Sequence, residues 1–444
     1  MLKERRGQVM IQKLQSFVKQ PIGRIEQQED IQFIYNTSGE LIGEIHMEYE
    51  LLSRIDFYDI DALVEQGVPL TNSAMIDAML RPSDVDVEVD SSEITNIANR
   101  IKESLDDRQL KLDAIVDFDK NYLAIFEEIE PRFGLTLPNT GLQLSIKRDG
   151  TLRSATFMRE HYTVEYPETM ISREEARDII LQEQLMQLTL DTQQDWNYIY
   201  SQKHDVYGVD VDGRVKKISE FPEMLGFCYD VLPEVTVHVP LEMLLLGGRQ
   251  AEIEINEEEG ERHWHVLIDE DPTEMLDEQP YIRACQALKL VVSEQYTHYE
   301  YERTPELSNL YNVAPLYLQE LEQAYTTFRF VYRHHELYVS DKAVEITVHN
   351  KTSQIQKVSV PTIPYERLNN LLLPVISLEE ANRIAKQHVD VTLSLERTNF
   401  ERNIFKPMYI INYPNSPTGG NIESINAYTA EITYVDTGFV RVEE

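Results

Sequence analysis

The chain has 444 residues, with 41 lysines and arginines against 77 aspartates and glutamates, a formal net charge of −36. Hydrophobic residues make up 42%, enough for real cores, so wholesale disorder is excluded. Such a polyanion is repelled by nucleic acid, and no run of about 18 apolar residues exists to span a bilayer.

The first twenty residues oppose the rest in charge: Lys3, Arg5, Arg6, Lys13 and Lys19 stand against Glu4. Val9-Met10-Ile11 is interrupted at once by Gln12-Lys13, so no secretory signal is read and a cytoplasmic location is expected. Met10, Leu14, Phe17 and Val18 recur at helical spacing. A basic amphipathic helix of this kind can lie on an anionic membrane surface, a peripheral contact by residues 1–20, or dock on the protein's own acidic body. The second reading is preferred.

A hairpin is predicted at 30–49, where alternating residues flank Asn36-Thr37-Ser38-Gly39. The stretch to about residue 80 is mixed and reads as helical in part. Asp84 to Asp90 alternates acid with valine and reads as an acidic edge. Ile94, Ile97, Ala98, Ile101 and Leu105 form one apolar stripe of a helix at 92–105, capped by Asp90 with Glu93. A second hairpin turns at Arg148-Asp149-Gly150, and a helix begins at Ser172. Pro240 to Leu246 reads as a short buried helix ended by Gly247-Gly248. Residues 251–268 read as a hairpin around Glu257-Glu258-Glu259-Gly260, and Asp269 to Pro272 as a linker. The expected organisation is a helix-plus-hairpin region at 1–80, a first repeat at 81–220, an acidic connection at 221–274 and a second repeat at 275–444. The two cysteines, Cys228 and Cys285, lie beside apolar residues and read as buried free thiols.

The repeats announce themselves at an offset of 205. Ile171-Ser172-Arg173-Glu174-Glu175-Ala176 runs on to Leu188-Thr189-Leu190, and Ile376-Ser377-Leu378-Glu379-Glu380-Ala381 runs on to Leu393-Ser394-Leu395. In each, serine caps a helix and the glutamate three residues on reaches back to the cap's backbone N–H. A hairpin precedes each helix, at 142–155 and 344–360, and strands follow it. This is an α+β arrangement, antiparallel sheets with helices packed on one face.

The two Ile-Ser-x-Glu-Glu-Ala helix starts, the preceding hairpins, and the endings Val211-Asp212-Gly213-Arg214-Val215 and Val435 to Val440 resemble the YcdB/YcdC-type repeat proteins of Gram-positive bacteria, whose repeats are similar to the PepSY module. The resemblance covers about 85–220 and 275–440. It implies two PepSY-like repeats and a binding role, because such modules occur in propeptides and in regulators that hold or inhibit peptidases. It implies no catalytic constellation and no cofactor.

The residues themselves add weak candidates. His263 and His265 share one face of a strand, with Glu259 and Glu261 nearby as oxygen ligands for a metal, though surface histidines on an ordinary exposed hairpin are the preferred reading. His334-His335-Glu336 lacks the second histidine of a zinc-protease helix, since position 339 is valine. Asp210-Val211-Asp212-Gly213 fails the calcium-loop register, with Gly208 and Ser219 where oxygen ligands belong. No Gly-x-Ser-x-Gly elbow and no phosphate loop exists. Tyr296, Tyr299 and Tyr301 are candidates for partner recognition, or simply tyrosines lying across a sheet. The expected protein is non-enzymatic and binds a protein or peptide. The alternatives are an enzyme, hydrolase or metal-binding, with an unrecognised site, and a self-assembling structural protein.

Overall fold

The computed structural model describes residues 11–28, 30–48, 51–58, 89, 91–118, 120–159, 161–193, 195–203, 205–218, 228–258, 260–267, 279–303, 324–399 and 403–440. The acidic alternation at 84–90 (Val89 apart), residues 59–80 of the mixed stretch, the linker at 269–272, Met10 and Glu259 lie outside them.

Alternating sequences build β1 (Ile22–Gln28), β2 (Ile31–Asn36), β3 (Leu41–Glu48) and β4 (Leu51–Phe57) as an antiparallel meander. A second meander, β5 (Leu110–Phe118), β6 (Asn121–Ile129), β7 (Thr136–Lys147) and β8 (Leu152–Met158), joins it where β4 pairs with β8, Ile55 opposite Ala155. The β7–β8 turn is the Asp-Gly turn read from sequence: Gly150 takes φ 80°, and Thr151 N–H donates to Asp149 Oδ1 at 3.0 Å. The stripe of α1 (Ser91–Leu105) buries Ile94, Ala98 and Ile101 completely against this sheet. Leu14, from the helical turn at 11–15, and Phe17, just after it, enter the same core. Lys19 pairs with Asp149 at 2.5 Å, and Leu152 N–H donates to the Phe17 carbonyl at 2.9 Å. The described part of the basic N-terminal segment therefore docks on the body.

Each repeat helix leads into four strands. After β9 (Thr163–Val164) and α2 (Arg173–Ile180) come β10 (Met186–Leu190), β11 (Tyr198–Gln202), β12 (Val206–Asp210) and β13 (Val215–Lys217). Next come β14 (Cys228–Val231), α3 (Leu241–Leu246), β15 (Glu252–Glu258), β16 (Glu261–Leu267), α4 (Pro280–Val292), a 3-10 turn at Ser293–His298, β17 (Tyr299–Arg303), β18 (Tyr325–His334), β19 (Leu337–His349) and β20 (Ile355–Pro361). The second repeat continues with α5 (Tyr365–Asn369), α6 (Leu378–His388), β21 (Asp390–Asn399), β22 (Ile404–Asn412), β23 (Gly419–Asn426) and β24 (Ile432–Asp436). Finally β25 (Phe439–Val440) returns to the first sheet and pairs with β5.

The repeats do not keep their strands to themselves. One sheet runs β10-β11-β23-β24 and another β13-β12-β22-β21, so the first hairpin of each copy pairs with the second hairpin of the other. Tyr200 faces Ile425 across one junction, and Val209 faces Tyr409 across the other. Gly208 makes the second junction sterically feasible, because a Cβ there would stand 2.5 Å from the Tyr409 carbonyl oxygen. The helices cross over too. Arg173 of α2 pairs with Asp390 at 2.5 Å and donates to the Val391 carbonyl at 2.9 Å. Asn382 of α6 accepts from the backbone N–H groups of Leu185 and Met186 at 2.8 and 3.1 Å.

The capping serines behave as predicted, with one difference. Ser172 and Glu175 form the reciprocal box. Ser377 accepts from Glu380 N–H at 3.2 Å, but the Glu380 carboxylate turns to Arg383 instead. The first repeat's ending is the β12–β13 turn, with Gly213 at φ 90°. Its counterpart is the Asn426–Glu431 turn between β23 and β24, not the Val435–Val440 stretch, which instead leads into β25.

The remaining sheet runs β14-β17-β18-β19-β20-β16-β15. One apolar core joins it to the exchanged sheets, with Trp264, Ala284, Leu288, Phe330, Ile346 and Val358 meeting Ala176, Ile180, Tyr200, Val391 and Ile425. A small cluster of Leu137, Leu395 and Phe405 links β7 to β21 and β22. The whole is α+β, mostly antiparallel sheet with a few helices. Among the described residues only β9 with β22 pairs in parallel, and no helix is long and apolar enough to cross a membrane.

Candidate binding cleft

The segment before α6 has an unusual surface. Its sequence is Asn369-Asn370-Leu371-Leu372-Leu373-Pro374-Val375-Ile376. Leu371 and Ile376 turn inward against the large core. Leu372, Leu373 and Val375 point out, at 77%, 79% and 74% exposure. Hydrogen bonds hold them there. The Tyr428 hydroxyl donates to the Leu372 carbonyl at 2.7 Å. The N–H groups of Val375 and Ile376 both donate to the Ala427 carbonyl, at 2.9 and 3.1 Å. The Asn370 amide donates to the Glu366 carbonyl at 2.7 Å, and Pro374 fixes its own φ.

Beside these leucines lies an open cleft of about 590 Å³. Asn197 of the first repeat lines it, with Glu366, Arg367 and Asn370 around α5, then Leu371, Leu372 and Tyr428. It therefore sits where the two repeats meet. Arg367 pairs with Asp195 at 3.6 Å, but both side chains are largely exposed and the pair contributes little to stability. An aliphatic rim beside two carboxamides, a phenol and a charge pair suits recognition of apolar side chains carried on a polar backbone.

The first repeat provides an internal comparison. At the offset of 205, Leu372, Leu373 and Val375 correspond to Pro167, Glu168 and Met170. Glu168 is a polar residue exposed to solvent, and Met170 packs partly against the core. The repeat fold thus does not require three exposed aliphatic residues at this place. Nothing in the sequence separates them from core residues, because a run of three leucines reads equally as buried. Only the inward turn of Leu371 sorts them.

The structure scatters the residues singled out from sequence. His263 and His265 share the face of β16 opposite the buried Trp264 and Val266. His263 Nδ1 lies 2.9 Å from Ser359 Oγ, and its Nε2 is 3.8 Å from Glu261. His265 is exposed, with Glu254 and Lys357 on the neighbouring strands. Tyr296 and Tyr299 are buried, and Tyr301 is half-buried. The Tyr296 hydroxyl donates to the Pro233 carbonyl at 2.8 Å, and that of Tyr299 lies 2.7 Å from Tyr365's. Tyr301 packs at a tilt against the rings of Tyr281, Phe328 and Phe330. Burial pushes all three phenols up, reinforced by Cys285, Tyr365 and Asp230 respectively. His334 is buried with its Nε2 3.2 Å from the Tyr198 hydroxyl, and burial and then His335 lower its pKa. Cys285 is buried as expected, but Cys228 is exposed, because β14 is an edge strand.

No known protein family matches the chain, and no curated protein does. Among solved structures, the Bacillus megaterium YpeB C-terminal domain aligns with 80% of this chain and 96% of its own length, at 10% identity and a TM-score of 0.28. A likeness that loose decides neither fold nor role.

Proposed function

We propose that this protein is a non-enzymatic binding protein that holds a peptide or protein segment in the cleft before α6. Its repeats, on the same reading, are PepSY-like repeats of the YcdB/YcdC type, and a peptidase or its propeptide is the class of partner that resemblance adds. The observation that supports the reading is the contrast between Leu372, Leu373 and Val375 and their first-repeat counterparts, the half-buried Pro167, the polar Glu168 and the core-packed Met170. Covering a fully exposed leucine or valine side chain is worth about 1.5–3 kcal/mol, a gain the isolated chain forgoes three times. With a net charge of −36, the partner segment carries basic residues beside its apolar ones, and the long-range attraction speeds encounter.

The test is selection of displayed random peptides on the full chain, with the double variant Leu372→Asp, Leu373→Asp as counter-target. Enrichment of apolar-basic sequences that bind the parent and not the variant is expected. Identical peptide pools on both proteins would overturn the assignment of the cleft. Sedimentation at two concentrations separates the alternative occupant: a size that rises with concentration, and does so only in the parent, assigns the patch to a second copy of the chain.

A further inference from the structure

In the nine-stranded sheet, β3 and β4 bring three donors of metal-binding type together. Glu44 and His46 are two apart on β3, so both leave the same face of the sheet, away from the buried Ile45. Asp56 on β4 stands directly opposite Glu44, and Arg54 opposite His46. One ligand atom of each of Glu44, His46 and Asp56 lies within 4.8 Å of the other two. We infer that these three residues form a binding site for a divalent transition-metal ion such as Zn²⁺ or Mn²⁺.

Four observations carry this. Two carboxylates placed opposite each other on adjacent strands repel, so a cation bridging both, which Arg54 on Asp56 alone does not do, lowers the cost of the arrangement. Asp56 is only 5% exposed, and the group that serves it is Arg54, whose Nη2 donates to Oδ1 at 2.9 Å and whose Nε lies 2.7 Å from Oδ2. The charge now serving it is detachable, because the Arg54 side chain is 54% exposed. Finally, a group outside the donor set already orients Glu44: the Tyr58 hydroxyl bonds to it, while His46 Nε2, the neighbouring donor, lies 2.7 Å from its Oε1. Ligand carboxylates held in this way are typical of metal centres.

The donor set selects the ion. One imidazole nitrogen and two carboxylates suit zinc or manganese, whereas calcium asks for six to eight oxygens. Three protein donors leave a fourth tetrahedral position open to water. Arg54 is then the competitor of the metal and not its ligand, which gives the site a signature that a merely structural ion network lacks.

Isothermal titration of Zn²⁺ into the chelator-treated full chain tests this. One ion is expected per chain in the parent and in the double variant His263→Ala, His265→Ala. His46→Gln and Asp56→Asn are expected to weaken binding at least about 10-fold, since altering even the outer-shell support of a centre costs about 10–100-fold. Arg54→Gln is expected to tighten it. His46 is a third exposed, so its variant folds even if Asp56→Asn does not. The inference is overturned if the parent takes up no Zn²⁺, if His46→Gln binds as the parent does, if Arg54→Gln weakens binding, or if binding disappears only with His263 and His265.

Discussion

The Tyr200 hydroxyl on β11 donates to the Ile376 carbonyl at 2.7 Å, and Tyr409 on β22 returns the same bond to Ile171 at 2.8 Å. Ile171 and Ile376 are the residues that precede the two capping serines, so each repeat's strand ties down the start of the other's helix. Both tyrosines are buried, at 3% and 6% exposure. Removing either hydroxyl leaves a shielded carbonyl without its donor. Tyr200→Phe and Tyr409→Phe are each expected to cost about 1–2 kcal/mol in urea unfolding. No change in either variant would mean that the reciprocal bonds contribute nothing to joining the repeats.

Asn382 occupies the place that Arg177 holds in the first repeat, and its Oδ1 accepts from two backbone N–H groups of the other copy. Asn382→Leu keeps the volume and orphans both donors. A loss of about 2–5 kcal/mol is expected, larger than for either tyrosine. Equal midpoints for the variant and the parent would show that water replaces the amide at no cost.

Gly208 sets how closely β12 can approach β22. Gly208→Ala drives a methyl group into the Tyr409 carbonyl and is expected to cost about 1–3 kcal/mol, with protease cuts appearing near β12 or β22. Gly248→Ala is the control for general glycine effects. Nothing stands within 4 Å of its Cβ position, so its loss is confined to local backbone strain at φ 86°.

The two thiols differ sharply. Cys228 is exposed, while burial pushes the Cys285 thiol up to about 11. At pH 8 one cysteine per native chain is expected to react with a disulfide reagent, and both after unfolding. Rapid reaction of both in the native chain would contradict the burial of α4.

Burial, and after it Asp113, raises the Glu127 carboxyl to about 7. The folded chain therefore holds this proton more tightly than the unfolded one. Its contribution to stability is full below about pH 4.5 and is lost as pH rises through about 7. Glu127→Gln keeps an acceptor for the Asn139 N–H, which bonds Oε1 at 3.0 Å, and cannot ionise. It is expected to be about 1–3 kcal/mol more stable than the parent at pH 8 and equal to it at pH 4.5. A variant less stable than the parent at pH 8 would reverse the sign.

Local elements were legible in the sequence because their causes are local. Alternation around Asn36 to Gly39 and around Asp149-Gly150 places hairpins, and Ser172 and Ser377 place helix starts. Pairing partners were not legible, because β11 meets β23 across more than two hundred residues and nothing in either strand names the other. The same limit explains the second repeat's ending. Val435 to Val440 matches a pattern, but Asn426 to Glu431 makes the equivalent turn. Burial of Tyr296 and Tyr299 and exposure of Cys228 depend on which strand lies at an edge, and order in a sheet is likewise non-local. For the cleft, a leucine run gives no sign of which members face water. For the inferred metal centre, the alternation Glu44-x-His46 was visible within the first hairpin, but Asp56 joins it only through the β3–β4 register.

The exchange of hairpins also governs how the protein is made. At about 5–20 residues per second, the ribosome needs about 10–45 s after synthesising β11 to reach β23. Through that interval the first repeat has a finished helix and two hairpins, each with an open side awaiting its mate. The nine-stranded sheet waits longer still for β25. Another copy of the nascent chain on the same message carries the same open sides, so neighbouring ribosomes hold molecules able to complete each other's sheets. Slow, long-range closure of this kind makes birth, rather than heat, the moment of greatest exposure to aggregation.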